Sequence, residues 1–127
     1  MKEVLAVVRM NKIGITKKAL GAAGFFSLTA HNALGRGKGL VDFKVLKGAE
    51  KGYEEAISQL GQSQRLVPKR VLSLVVVDEM VDDAVNAIIS ANKTGKSGDG
   101  KIFVLPVSDA IRVRTAESGD DVLDEAV

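Results

Sequence analysis

The chain has 127 residues, of which 46% are hydrophobic and 27% are charged, as in a single soluble globular domain. It has no cysteine and one histidine, His31, which excludes a disulfide framework, a thiolate metal site and a zinc site built from histidines. No run approaches the roughly 20 apolar residues of a membrane span, and no signal-peptide pattern is present. We therefore expect a cytoplasmic protein.

The net charge of +2 conceals an uneven distribution. Residues 117–127 contain five acids and no base, so the rest of the chain carries about +7, the difference between +2 and −5. A basic body indicates an anionic partner. We interpret residues 1–116 as the folded domain and residues 117–127 as a solvated acidic tail.

The first part of the chain predicts a β-α-β unit. The Val-rich run Lys2–Arg9 is typical of a short strand, and "FFSLTAHNALG", residues 25–35, is typical of a second. Between them, apolar residues at i, i+4, i+7 and i+8 predict a helix that ends at Gly24. The predicted apolar face consists of Ile15, Ala19, Ala22 and Ala23.

A second β-α-β unit begins at the strongly apolar strand Arg70–Val77. Asp78 is expected to cap the following helix, and the strand "KIFVLPV", residues 101–107, comes after it. The helix has one apolar face with the spacing i, i+3, i+4 and i+7, made by Val81, Ala84, Val85 and Ile88. Two such units predict an α+β fold, the ferredoxin-like split βαβ sandwich with the order βαββαβ.

A connection of about 30 residues separates the two units, and connections of that length are usually functional or disordered. Within it, "YEEAISQL", residues 53–60, is compatible with a short helix. Its apolar residues suggest a surface that docks onto another protein, and the alternative is that the connection packs on its own domain. The candidate docking residues are Phe43, Tyr53, Ile57 and Leu60.

The stretch "KTGKSGDGKIFVLP", residues 93–106, places three glycines and three lysines directly before a buried strand. Glycines let backbone N–H groups approach a ligand, and lysines add positive charge, so the loop suits a polyphosphate. The alternative is a glycine-rich turn with solvated lysines, because the spacing is not that of a Walker A motif.

Two further basic motifs accompany this loop. "AIRVR", residues 110–114, is predicted as a short strand in which Arg112 and Arg114 share one face, where their guanidinium groups suit phosphate. The alternative is an exposed strand face whose charge is balanced by nearby acids. "GRGKG", residues 35–39, alternates glycine with cations and suits either a hinge or a ligand contact. We find no paired carboxylates and no candidate nucleophile, and we interpret His31 as a structural residue. The sequence therefore favours a binding protein over an enzyme.

The stretch "TGKSGDGKIFVLPVSDAIRVRTAE", residues 94–117, resembles the signature of the PII nitrogen-regulatory signalling proteins. The resemblance extends over nearly the whole chain except the middle of the long connection. It implies a trimer or related assembly of ferredoxin-like subunits that binds ATP or ADP between subunits. It also implies sensing of 2-oxoglutarate, usually with Mg-ATP, and a protruding T-loop, here residues 37–67, that docks onto target proteins.

The resemblance also implies site residues. Lys69 would pair with a carboxylate of 2-oxoglutarate, and Gly39 stands where the family carries a glutamine that helps to hold Mg²⁺ and this effector. Arg112 and Arg114 would reach the phosphates from a neighbouring subunit. The implied nucleotide-binding residues are Val7, Thr29, Gly35, Gly37, Lys38, Val75, Gly98, Asp99, Gly100, Lys101, Arg112 and Arg114.

The long connection and the acidic tail resemble a PII subclass associated with nitrogen fixation. Its members work with a second PII-like subunit and inhibit nitrogenase directly, and 2-oxoglutarate and ATP relieve the inhibition. Lys51 aligns with the tyrosine that other members modify, so that modification is not expected here. One alternative is a general PII regulator of an ammonium transporter or a biosynthetic enzyme. Another is a ferredoxin-like nucleic-acid-binding module, although Lys2–Arg9 and Arg70–Val77 lack the aromatic residues that stack on bases.

Overall fold

The computed structural model of the chain describes residues 1–37 and 65–123. It contains the strands β1 (Lys2–Arg9), β2 (Thr29–Gly35), β3 (Val67–Val76) and β4 (Lys101–Pro106), and the helices α1 (Ile13–Ala22) and α2 (Val81–Asn92). Three short 3-10 turns lie at Met10–Lys12, Asp78–Met80 and Asp120–Val122. The predicted docking residues Phe43, Tyr53, Ile57 and Leu60, together with Lys38, Gly39 and the predicted helix 53–60, lie outside the described residues.

The four strands form one antiparallel sheet in the order β2-β3-β1-β4. Val-rich alternation explains β1, because Val4, Ala6 and Val8 are buried while the intervening residues face the other side of the sheet. The buried residues pack against Leu20 of α1 and Ile88 of α2. Both helices therefore cover one face of the sheet, and the predicted ferredoxin-like α+β fold is confirmed.

The opposite face of the sheet, which we call the open face, is covered by neither helix. It carries apolar side chains such as Phe103 and Leu105 of β4, whose exposed fractions are 46% and 39%. Apolar residues at this exposure on a sheet face are typical of a surface that contacts another molecule.

The buried face of α1 differs from the prediction. Ile15 is 53% exposed, whereas Thr16 and Leu20 are fully buried. The hydroxyl of the buried Thr16 is fully paired. Its Oγ1 donates to the carbonyl of Lys12 (2.7 Å) and accepts from the side-chain Nδ2 of Asn92 (2.8 Å). The apolar pattern missed this face because a polar residue occupies its centre.

The end of α1 and the face of α2 confirm the sequence analysis. Gly24 has φ +94°, and the amide of Phe25 donates back to the carbonyl of Leu20 (2.8 Å), so the helix ends where glycine was predicted to stop it. In α2, Ala84 and Ile88 are buried as predicted. The capping role predicted for Asp78 is wrong. This residue lies in the 3-10 turn, and its carboxylate contacts the N-terminal ammonium at 3.0 Å.

Several predicted strand boundaries change, and one predicted strand is absent from the described residues. β2 begins at Thr29 rather than Phe25, and β3 spans Val67–Val76 rather than Arg70–Val77. The segment "AIRVR" is not a strand but one side of a tight loop, closed by a single bridge between Ile111 and Ser118. A turn follows Arg112, so Arg112 and Arg114 do not share a strand face.

The tail begins in contact with the domain. Val122 and Leu123 are half-buried and line a cavity with β2 and β3 residues, although the acidic composition indicated a solvated segment. Within the two described ranges, no helix is long and apolar enough to cross a membrane.

Candidate functional site

Antiparallel pairing brings the two glycine-rich motifs to the same edge of the sheet. The C-terminal ends of β1 and β2 meet the N-terminal ends of β3 and β4 there, as shown by the pairs Arg9–Lys69, Ala33–Lys69 and Val7–Lys101. The loop 93–100 before β4 and the segment 35–37 after β2 therefore lie on either side of β1 and β3. The two motifs, which are more than 50 positions apart in sequence, converge at this edge.

A cavity of about 430 Å³ opens at this edge, and we call it the first cavity. Three of its lining residues, Arg36, Lys69 and Lys101, are cations, and none of its described lining residues is acidic. Val7 and Phe103 supply an apolar wall. The other lining residues are Gly35, Gly37, Ser97, Gly98 and Gly100. This combination suits an anionic ligand with an apolar part.

Asp99 organises the glycine loop from within. Its carboxylate accepts hydrogen bonds from the amides of Thr94 (2.8 Å) and Gly95 (3.0 Å) and from the Thr94 hydroxyl (2.5 Å). The Thr94 hydroxyl and amide, then the Arg9 guanidinium and the Gly95 amide, stabilise the ionised form and hold the pKa of Asp99 well below its ordinary value. The carboxylate is thus used by its own loop, a role that the sequence did not predict.

Gly100 is required by a close approach of two backbone segments. Its φ is +111°, and a Cβ built at this position would lie 2.1 Å from the carbonyl oxygen of Val7. Gly95 and Gly98 also have positive φ, but the space around Gly95 is open. The glycine spacing in the sequence signals the loop, but not which of the three glycines is sterically essential.

Thr29 and Val75 do not line the first cavity. They line a second cavity of about 470 Å³ farther along the sheet, together with Phe26, Leu28 and Val122. Thr29 pairs with Ser73, four residues along β3 from Lys69, which is roughly 13 Å at the rise of a strand. Within one chain, the predicted nucleotide-binding residues are therefore divided between two places on the sheet.

A family model for "Nitrogen regulatory protein P-II" matches residues 1–117. The chain belongs to the P-II (PII) family of nitrogen regulatory proteins. It is 47% identical over 128 residues to "Nitrogen fixation nifHD region GlnB-like protein 2" of Methanobacterium ivanovii, covering 97% of this chain and 99% of that protein. The protein of the same name from Methanococcus maripaludis is 44% identical over 120 residues, covering 94% and 98%. "Nitrogen regulatory protein P-II" of Cereibacter sphaeroides is 37% identical over 123 residues, covering 97% and 100%.

Arg112 and Arg114 of this PII chain lie on the loop 110–119, away from the first cavity. The loop is fixed by its own contacts. The amide of Arg112 donates to the carbonyl of Glu117 (2.8 Å), and its guanidinium contacts the Glu117 carboxylate at 3.3 Å. Val113 at the tip is fully exposed. Arg114 is exposed, whereas Arg112 is partly buried and paired with Glu117, and neither arginine lines the first cavity.

Sequence reasoning missed Arg9, the last residue of β1. Its Nη1 donates to Asp99 (2.7 Å) and its Nη2 donates to the carbonyl of Ser97 (3.0 Å), which joins the strand to the glycine loop. A single basic residue at the end of a strand has no distinctive sequence pattern. Among the described residues, no group of three or more His, Cys, Asp or Glu side chains is arranged to hold a metal ion.

We predict that Gly100→Ala disrupts the loop of this PII protein much more than Gly95→Ala. Both substitutions place alanine at positive φ, which costs about 1–2 kcal/mol, but only the first adds a clash with the Val7 carbonyl. Chemical denaturation and amide hydrogen exchange of residues 94–101 measure the difference. Equal losses of stability for the two variants would contradict the predicted close contact.

Proposed function

We propose that this PII protein is a non-catalytic, cytoplasmic sensor of nitrogen status that binds ATP or ADP and 2-oxoglutarate. The observation that carries the proposal is the first cavity, where a glycine loop and three cations converge on an apolar wall. A nucleotide has the matching chemistry, because its polyphosphate is strongly anionic and the flat faces of its aromatic base pack against apolar side chains.

The residues at the first cavity suit a polyphosphate. Gly98 and Gly100 line the first cavity without side chains, and the backbone N–H groups of the loop would bind phosphate oxygens there. Lys101 and Arg36 would supply charge to the same phosphates. Asp99 would not contact the phosphates but would fix the shape of the loop, since its carboxylate accepts hydrogen bonds from the backbone amides of Thr94 and Gly95.

2-Oxoglutarate and Mg²⁺ would join the nucleotide at this edge. Lys69 lines the first cavity, where its ammonium group would pair with a carboxylate of the effector. Because no described acidic cluster suits a metal ion, Mg²⁺ would arrive bound to ATP. The bound ion would neutralise phosphate charge and help to link the two ligands.

The division of the predicted residues supports a site shared between subunits. Thr29 and Val75 line the second cavity, and Arg112 and Arg114 lie on the loop 110–119, on either side of the fully exposed Val113. In a trimer, or in a hetero-oligomer with a second PII-like subunit, this second group would face the first cavity of a neighbour. Burial of the apolar open face between subunits would favour the assembly.

Calorimetric titration tests the sensor proposal. We expect ATP to bind the purified oligomer, and 2-oxoglutarate with Mg²⁺ to increase the affinity for ATP, because coupled ligands change each other's affinity by the same factor. The magnitude should be about 5- to 150-fold, the usual range of such coupling. Absence of ATP binding would refute the proposal, and ATP binding without coupling would move effector sensing to another subunit.

We further propose that the target is nitrogenase, contacted through the T-loop, residues 37–67. The support comes from the names of two relatives, which contain the words "nitrogen fixation nifHD region". The alternative is a general PII regulator that acts on an ammonium transporter or a biosynthetic enzyme. ATP and 2-oxoglutarate would act by binding one T-loop conformation better than another.

An activity assay separates these targets. We expect the assembled PII protein to inhibit purified nitrogenase, and ATP with 2-oxoglutarate to relieve the inhibition. A variant in which residues 43–60 are replaced by a flexible Gly/Ser linker should bind ATP but lose inhibition. Undiminished nitrogenase activity at saturating protein, with an ammonium transporter or biosynthetic enzyme captured instead, would favour the alternative.

A further inference from the structure

Arg9, the last residue of β1, donates two hydrogen bonds from its guanidinium group to the glycine loop. One reaches the carboxylate of Asp99 at 2.7 Å, and the other reaches the carbonyl of Ser97 at 3.0 Å. The guanidinium also lies directly against Gly98, where a Cβ would be 3.3 Å from its Nη2. Three consecutive loop residues are therefore set in place by one side chain from β1.

The ion pair between Arg9 and Asp99 also changes the balance of charge near the first cavity. Its direct cross-strand partner is Lys69, and like charges opposite each other on a sheet repel. Asp99 compensates the charge of Arg9, whereas Lys69 faces the first cavity. In return, Arg9 neutralises a carboxylate that would otherwise oppose the binding of a polyphosphate nearby.

We propose that Arg9 is a positioning residue of the nucleotide site: it fixes the loop 94–100 and cancels the charge of Asp99, so that the loop favours polyphosphates. The inference rests on the proposed ATP binding and adds to it a residue that contacts the loop rather than the ligand. It assigns Asp99 to the same unit, as the acceptor that gathers the loop amides and is itself held by β1.

If the Arg9–Asp99 ion pair only stabilised the domain, its loss would lower the free energy of unfolding rather than ligand affinity. The side chains of Arg9 and Asp99 are 27% and 25% exposed, so water partly screens the pair, and its hydrogen bonds attach only the glycine loop to β1. We therefore expect the loss of Arg9 to change ligand binding and local loop opening more than global unfolding.

The first experiment compares Arg9→Met with Arg9→Lys, and uses Lys17→Met on the exposed side of α1 as a control with the same change in charge. Calorimetry measures ATP and ADP binding to each oligomer. We expect Arg9→Met to weaken ATP binding on the order of tenfold, the effect of one charge-assisted hydrogen bond. The affinity for ADP should fall less than the affinity for ATP, because ADP carries less phosphate charge. The effect of the substitution on ATP affinity should be smaller at high salt.

The conservative variant and the control complete the comparison. Arg9→Lys should recover part of the ATP affinity, since it restores the charge but not the forked geometry. Lys17→Met should bind both nucleotides as the wild type does, and the thermal midpoints should stay within a few degrees of one another. Equal losses of ATP and ADP affinity in step with a fall in thermal midpoint would overturn the inference in favour of a structural role.

A double-mutant cycle tests whether Arg9 acts through Asp99. We expect the double variant Arg9→Met/Asp99→Asn to bind ATP no worse than the weaker single variant, because each substitution breaks the same unit. Additive losses would overturn the inference.

Amide hydrogen exchange of residues 94–101 provides a readout that needs no ligand. Arg9→Met should speed this exchange even if the wild type fails to bind ATP, an outcome that would refute the proposed function but leave the loop contact intact. Unchanged exchange, with ATP bound normally, would refute the role of Arg9 and leave the proposed function standing.

Discussion

The close approach of Gly100 to the backbone of Val7 is the constraint on which the candidate site depends. With φ +111° and no side chain, Gly100 lets the glycine loop lie directly against β1, where a Cβ would be 2.1 Å from a carbonyl oxygen. The loop then leads into β4, whose first residue, Lys101, pairs with Val7. Asp99 and Arg9 maintain this arrangement, the first by gathering loop amides and the second by attaching the carboxylate to β1. The glycine removes the steric obstacle, and the ion pair selects one geometry for the loop.

Sheet topology converts this local constraint into a site. Because β1 and β3 are the central strands, the ends of all four strands gather a glycine loop, a Gly-Arg-Gly segment and Lys69 at one edge. Within the described residues, α1 and α2 pack on the opposite face of the sheet from Val7 and Phe103, which line the first cavity. Cations then dominate the first cavity, since the acidic residue of the loop, Asp99, is held by Arg9 and by the loop amides.

Sequence reasoning recovered the parts of the fold that depend on dense apolar patterns. β1 has the predicted bounds Lys2–Arg9, and α2 buries Ala84 and Ile88 as predicted. Sequence reasoning failed where a contact between distant parts of the chain determines which residue is buried or where a strand ends. Thr16 occupies the buried face of α1 because Asn92 of the other helix satisfies its hydroxyl, and no property of α1 alone reveals that partner. The loop that carries Arg112 was read as a strand because its alternation is that of a strand, although a turn follows Arg112 and brings Ser118 back to Ile111.

The candidate site was predictable in its composition but not in its division of labour. The glycines and Lys101 were identified from their spacing, and the family resemblance added Lys69. The role of Asp99 depends on how the loop folds to bring the amides of Thr94 and Gly95 to its carboxylate. The contribution of Arg9 depends on a contact with a residue 90 positions away, so neither role is visible in the sequence. The separation of Thr29 and Val75 from the first cavity also appears only in the folded chain. This separation supports our proposal that a complete nucleotide site needs two chains.

Mixed oligomers test that claim most directly. If our proposal holds, Lys101→Met should disable the first cavity and the double variant Arg112→Met/Arg114→Met should disable the loop 110–119, so neither oligomer should bind ATP when purified alone. Co-expression with two different tags isolates oligomers that contain both variants. If the site is shared between chains, a mixed trimer should regain about one ATP site, where an intact first cavity meets an intact loop. Absence of any ATP binding by the mixed oligomers, with wild-type binding intact, would contradict a shared site.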